Sequence, residues 1–157
     1  MQRRRAYLLS CLLVAAISVV CGGALGANYP LGDGTTLHVG ESSKTGSVTA
    51  VILSGEDVQE AVTIGNASLG DVVKGKFCVD CPPAYFIPAH DRTSTYGATT
   101  GIVVYPTGPW WEISILPLPV AGISSPDAAG ISWLNSTNPA DGTITRYSFQ
   151  DGFLAAN

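Results

Sequence analysis

Residues 101–116 read Gly101-Ile102-Val103-Val104-Tyr105-Pro106-Thr107-Gly108-Pro109-Trp110-Trp111-Glu112-Ile113-Ser114-Ile115-Leu116. The first five are nearly all apolar, and the last seven place apolar side chains on alternate positions. β-Branched and aromatic residues of this kind suit a pleated, half-buried surface, and a period of two assigns successive side chains to opposite faces. The four residues between hold two prolines, which cannot donate to a ladder. The stretch predicts two central strands, 101–105 and 110–116, joined by a turn over 106–109.

The same punctuation extends in both directions. Ten prolines and fifteen glycines interrupt residues 28–157, and no apolar stripe at helical spacing survives for three turns, which excludes a helical bundle. Further runs at 35–39, 47–53 and 58–64 read as strands, the last two separated by a turn at Gly55-Glu56-Asp57. In 71–79, Val73, Gly75, Phe77 and Val79 share one face and Lys74, Lys76 and Cys78 the other. The piece 84–87 is bounded by prolines and reads as an edge strand or loop crossing. Runs at 130–134 and 143–149 complete the set, connected through 135–142 by the turn signals Asn138-Pro139 and Asp141-Gly142.

Eight or nine short strands without helices predict an all-β chain, an antiparallel β-sandwich forming a single domain over 28–157. An immunoglobulin-like arrangement is one form of it, although two distant cysteines around a core tryptophan are absent. Trp133 is expected in the core.

Residues 1–27 have the layout of a secretory signal peptide: Arg3, Arg4 and Arg5, an apolar run from 6 to 21, then the small residues Gly22-Gly23-Ala24-Leu25-Gly26-Ala27. Cleavage after Gly26 places Ala24 and Gly26 at the two positions that must be small. The apolar run is shorter than the roughly 20 residues that span a bilayer as a helix. The expectation is a secreted or extracytoplasmic protein with no membrane span after removal of the leader. What remains carries five Lys or Arg against twelve Asp or Glu, a net charge of −7. That excludes a general nucleic-acid binder, which needs clustered cations to neutralise phosphate.

Outside the leader only Cys78 and Cys81 remain, and an oxidising compartment makes them a disulfide. The same Cys-x-x-Cys could serve redox chemistry, or bind zinc with His90 and His38. Pro82-Pro83 follows in place of an activating helix, and no second Cys-x-x-Cys exists. No metal and no cofactor are expected. Asn66-Ala67-Ser68 and Asn135-Ser136-Thr137 fit the N-glycosylation acceptor pattern and, if modified, mark solvent-facing loops at Asn66 and Asn135.

Three groups carry the candidate chemistry. Trp110 and Trp111 must point to opposite faces of a strand, so at least one faces away from the main core unless both faces are covered. With Tyr105 they form an aromatic patch suited to anchoring an extracellular protein, or less readily to stacking a glycan. His90, Asp91 and Arg92, followed by Ser94, Thr95 and Tyr96, assemble acid-base residue types in one loop, where adjacent residues rarely build a catalytic site. Glu112 is the only acid in an otherwise apolar strand. A small secreted hydrolase using Glu112, or His90 with Asp91, is therefore the enzymatic alternative, and a structural subunit of a surface assembly joined through strand edges is another.

Thr99-Thr100-Gly101 and Gly108-Pro109-Trp110 resemble the wedge loops of chagasin-type cysteine protease inhibitors, which are also small sandwiches. The resemblance covers a few residues, and Asn138-Pro139 follows the Pro-Trp loop where that family has its Asn-Pro loop before it. It implies loop-borne inhibition as a further binding mode and transfers no functional residue.

Overall fold

The computed structural model describes residues 26–93 and 99–157. All but the last two residues of the expected leader, and Ser94, Thr95 and Tyr96, lie outside the described residues. Regular structure among the described residues consists of strands: β1 Gly26–Gly32, β2 Thr35–Ser42, β3 Ser47–Ser54, β4 Asp57–Ile64, β5 Ala67–Leu69, β6 Val73–Gly75, β7 Ala84–Asp91, β8 Thr99–Thr107, β9 Trp110–Ile115, β10 Gly122–Ile123, β11 Leu134–Thr137, β12 Ile144–Gln150 and β13 Phe153–Ala156. They pair antiparallel in three sheets. The all-β antiparallel class expected from the sequence is what the chain adopts. The chain divides into two compact units, the first ending at Gly65 and the second running from Asn66 to Asn157.

The first unit is a meander in the order β1-β2-β3-β4. Val48, Ala50, Val51 and Ile52 of β3 are all buried, so both faces of that strand are covered. β4 alternates, with Asp57, Gln59, Ala61 and Thr63 exposed. Its turn from β3 lies where Gly55 was expected to place it, and Gly55 takes φ +61°, a sign glycine adopts without steric cost. β1 has no strand pattern of its own. Its ladder to β2, Ala27 opposite Val39 and Tyr29 opposite Leu37, makes it a strand.

The second unit is a sandwich. One sheet runs β5-β7-β8-β9, with β6 also on β7, and the other runs β10-β11-β12-β13. Between them Phe77, Ala84, Phe86, Val103, Tyr105, Leu116, Val120, Leu134 and Phe149 form one core. Tyr105 and Phe149 meet edge to face across the sheets at 5.1 Å, and the Phe149 N–H donates to the Phe77 carbonyl at 2.8 Å. Each fully buried phenylalanine contributes about 2 kcal/mol of apolar burial.

Six sequence expectations are corrected. The piece 84–87 belongs to an eight-residue interior strand, β7, flanked by β8 on one side and by β5 and β6 on the other. It tolerates Pro88 because the partner is broken there. β5 pairs with residues 89–91 and β6 with 84–86, and the Pro88 carbonyl accepts from Gly70 N–H at 3.0 Å. A strand residue presents N–H and C=O to the same neighbour, so the missing donor of Pro88 faces the gap between β5 and β6.

The run 110–116 is an edge strand rather than a central one, because among the described residues β9 pairs with β8 alone. The turn before it is also shorter than expected, since Pro106 pairs with Trp111 inside the ladder. The run 71–79 is a strand only at Val73–Gly75. Beyond it Lys76 bridges to Ile131 and Phe77 bonds to Phe149, so the chain leaves one sheet for the other and Val79 ends 65% exposed.

The run 130–134 is largely loop. Asp127 Oδ1 accepts the N–H groups of Ala129 and Ile131 at 2.8 and 3.0 Å, and pairing as β11 begins only at Leu134. Trp133 is half-buried in that loop, not in the core, and its Nε1 donates to Asp127 Oδ2 at 3.1 Å.

Candidate functional site

The β8–β9 hairpin turns on two residues, Gly108 and Pro109, between the paired Thr107 and Trp110. Gly108 takes φ +59°, the sign that a two-residue type II′ hairpin requires at its first central position, and the fixed φ of proline fits the second. A rigid turn thus delivers Trp110 at its exit.

The two adjacent tryptophans separate as their alternation requires. Trp110 is 69% exposed. Trp111 is half-buried and packs on Tyr85 with ring centroids 6.3 Å apart, and Lys74 Nζ lies 5.3 Å from the other ring of this group, Tyr85. Tyr105, expected in the exposed patch, is a core residue at 8% exposure. Only its hydroxyl reaches the rim, donating to Glu112 Oε2 at 3.0 Å. The row Trp110, Glu112, Ser114 shares one face of β9 with Tyr105 beside it. The turn of the β12–β13 hairpin approaches the same place, since a Cβ on Gly152 would stand 3.1 Å from the Tyr105 hydroxyl and 3.7 Å from Ser114 Oγ. Phe153, next in the chain, is 77% exposed.

The acid-base candidates are not gathered. Glu112 is opposite Tyr105 and His90 is opposite Thr99. Six residues along β8 separate those partners, about 20 Å at strand rise. His90 Nδ1 is hydrogen-bonded to Thr99 Oγ1 at 2.8 Å. Asp91 Oδ1 accepts the Thr93 N–H and hydroxyl at 2.8 and 2.7 Å, closing a turn at the end of β7. As consecutive strand residues, His90 and Asp91 point to opposite faces.

Cys78 and Cys81 are disulfide-bonded, which removes both from the conceivable zinc set with His90 and His38. Among the described residues no three His, Cys, Asp or Glu side chains are grouped to hold a metal. Beside the bridge, Phe77, Cys81, Pro82, Tyr105, Pro106 and Asp151 help line a hollow of about 20 Å³, room for little more than one water.

The two acceptor tripeptides differ in setting. Asn66 is exposed in the turn between β4 and β5, at φ +54°. Asn135 is not in a loop. It lies in β11, an interior strand between β10 and β12, and its Oδ1 is buried without a hydrogen-bond partner.

Alternation placed Trp110 and Trp111 correctly relative to each other, whereas the Tyr105–Glu112 bond and the approach of Gly152 depend on strand register and on packing of two sheets. No local pattern carried those. Comparison of this chain with protein-family models, with curated proteins and with solved structures finds no match.

Proposed function

We propose that this chain is an exported binding module that recognises an extracellular protein, with Trp110 as its anchor. The exposure of Trp110 at the exit of a two-residue hairpin carries this reading. An aromatic side chain held on a short, fixed turn loses little conformational freedom on binding and offers a large apolar area. Phe153 adds a second exposed ring next to Gly152, the turn residue that approaches the Tyr105 and Ser114 hydroxyls. Trp111 and Tyr105 serve the fold, so the binding role expected of all three aromatics concentrates on one.

The leader read in residues 1–27 supplies the route out of the cytoplasm, and the acidic remainder disfavours anionic partners. In a secretory pathway that attaches N-glycans, exposed Asn66 is the favoured acceptor over Asn135.

The test is affinity capture from extracellular proteins alongside a glycan panel, with the wild-type protein and Trp110→Ala. Loss of about 2 kcal/mol or more in the folded variant is expected for an interface anchor. An identical partner list and affinity in the variant would refute the reading, and capture of glycans alone would replace protein by sugar as the ligand.

A further inference from the structure

We propose that the Cys78–Cys81 bridge is a site of reversible exchange with small thiols, and that the sulfur attacked is that of Cys81. The two half-cystines sit in unlike surroundings. Cys78 is 6% exposed and follows Phe77, which is 1% exposed in the core. Cys81 is half-buried, and the residues before and after it, Asp80 and Pro82, are exposed. Cys81 also lines the hollow beside Pro106 and Asp151. An incoming thiolate has access at Cys81 and is blocked at Cys78 by the core.

The fold does not depend on the bridge. The bonded residues are separated by three positions, and a loop so short restricts the unfolded chain little, so the bond stabilises at the low end of the usual range. Contacts that survive its opening hold the same turn. Lys76 Nζ donates to the Val79 carbonyl at 2.9 Å, and the Phe77 carbonyl keeps its bond from Phe149 N–H. The reduced state also has a place for its new donor. Cys81 Sγ is 3.8 Å from the Phe149 carbonyl oxygen, within reach of a bond from a thiol S–H.

The chemistry closes without a cofactor. A monothiol, as its thiolate, attacks Cys81 Sγ, forming a mixed disulfide while Cys78 leaves as thiolate and takes a proton from water. A second thiolate attacks the added sulfur. It releases Cys81 as a thiol and departs as the oxidised dimer of the monothiol, so two electrons pass from two thiols to the protein disulfide.

The first test incubates the folded protein with excess reduced glutathione and no denaturant, quenches with iodoacetamide, and counts alkylated cysteines by mass spectrometry. Alkylation of both Cys78 and Cys81 with an unchanged near-ultraviolet circular dichroism spectrum is expected. Protection of both until denaturant is added would overturn the proposal.

The second test compares Cys78→Ser and Cys81→Ser, each checked for folding, in reaction with oxidised glutathione. By microscopic reversibility the sulfur attacked in reduction is the one that reacts here. The Cys81 thiol of Cys78→Ser should react about tenfold or more faster than the Cys78 thiol of Cys81→Ser. Equal rates, or a faster Cys78, would overturn the assignment.

Discussion

Tyr105 and Glu112 are register partners across β8 and β9, and the Tyr105 hydroxyl donates to Glu112 Oε2 at 3.0 Å. One residue therefore does two jobs. Its ring closes the sandwich against Phe149, and its hydroxyl ties the core to the polar edge beside Trp110.

Replacing Tyr105 by Phe keeps the ring and removes the donor. The expected cost is about 1 kcal/mol, the net worth of one part-buried hydrogen bond. Urea unfolding measures it, and a double-mutant cycle with Glu112→Ala, which removes the acceptor, should return a coupling of similar size. A coupling of zero would show that the bond does not contribute to stability.

Trp110→Ala and Trp111→Ala should behave differently in the absence of any ligand. Trp110 is exposed at the turn, so its removal should change stability by no more than about 0.5 kcal/mol. Trp111 packs on Tyr85, and its loss should destabilise by roughly 1–3 kcal/mol. Chemical denaturation of the two variants checks the order.

Gly101 sits against the Phe86 ring. A Cβ there would fall 2.7 Å from Phe86 Cζ and 3.1 Å from Leu116 Cδ1, so Gly101→Ala forces an overpacked core. The expected destabilisation is roughly 1–3 kcal/mol. Combining it with Phe86→Leu, which vacates part of the space, should recover part of the loss when both are compared by thermal unfolding.

Asp127 organises the loop before β11. The Ile131 N–H, then the Trp133 indole and the N–H groups of Ala129 and Gly130, favour its ionised form and hold its pKa below the ordinary 3.8. A depressed carboxylate contributes stability that is full above the ordinary value and fades as pH falls through the lowered one. The Trp133 Nε1–H resonance should accordingly keep its bonded position at neutral pH and shift only on acidification below that range. In Asp127→Asn the shift should already be present at neutral pH, because the amide nitrogen cannot accept the indole proton.

The strand class was legible because the signals for it are local. Alternation over 47–53 and 110–116, β-branched runs such as 101–105, and glycine at Gly55 and Gly108 act within a few residues. β1 and the central position of β7 were not legible. The first is a strand through its ladder to β2, and the second contains Pro88, which reads as an interruption until the break between β5 and β6 is seen.

What the sequence determined by itself is the set of local preferences: extended backbone, tight turns, and two tryptophans on opposite faces of one strand. Tertiary structure decided which of those aromatics remained exposed. Tyr105 went into the core and Trp111 against Tyr85, leaving Trp110 at the hairpin. It also decided that Glu112 and His90 lie about 20 Å apart along the sheet rather than in one site. The physical reason is that side-chain period is fixed by the backbone, whereas edge, centre and cover are fixed by which strands find each other across long stretches of chain.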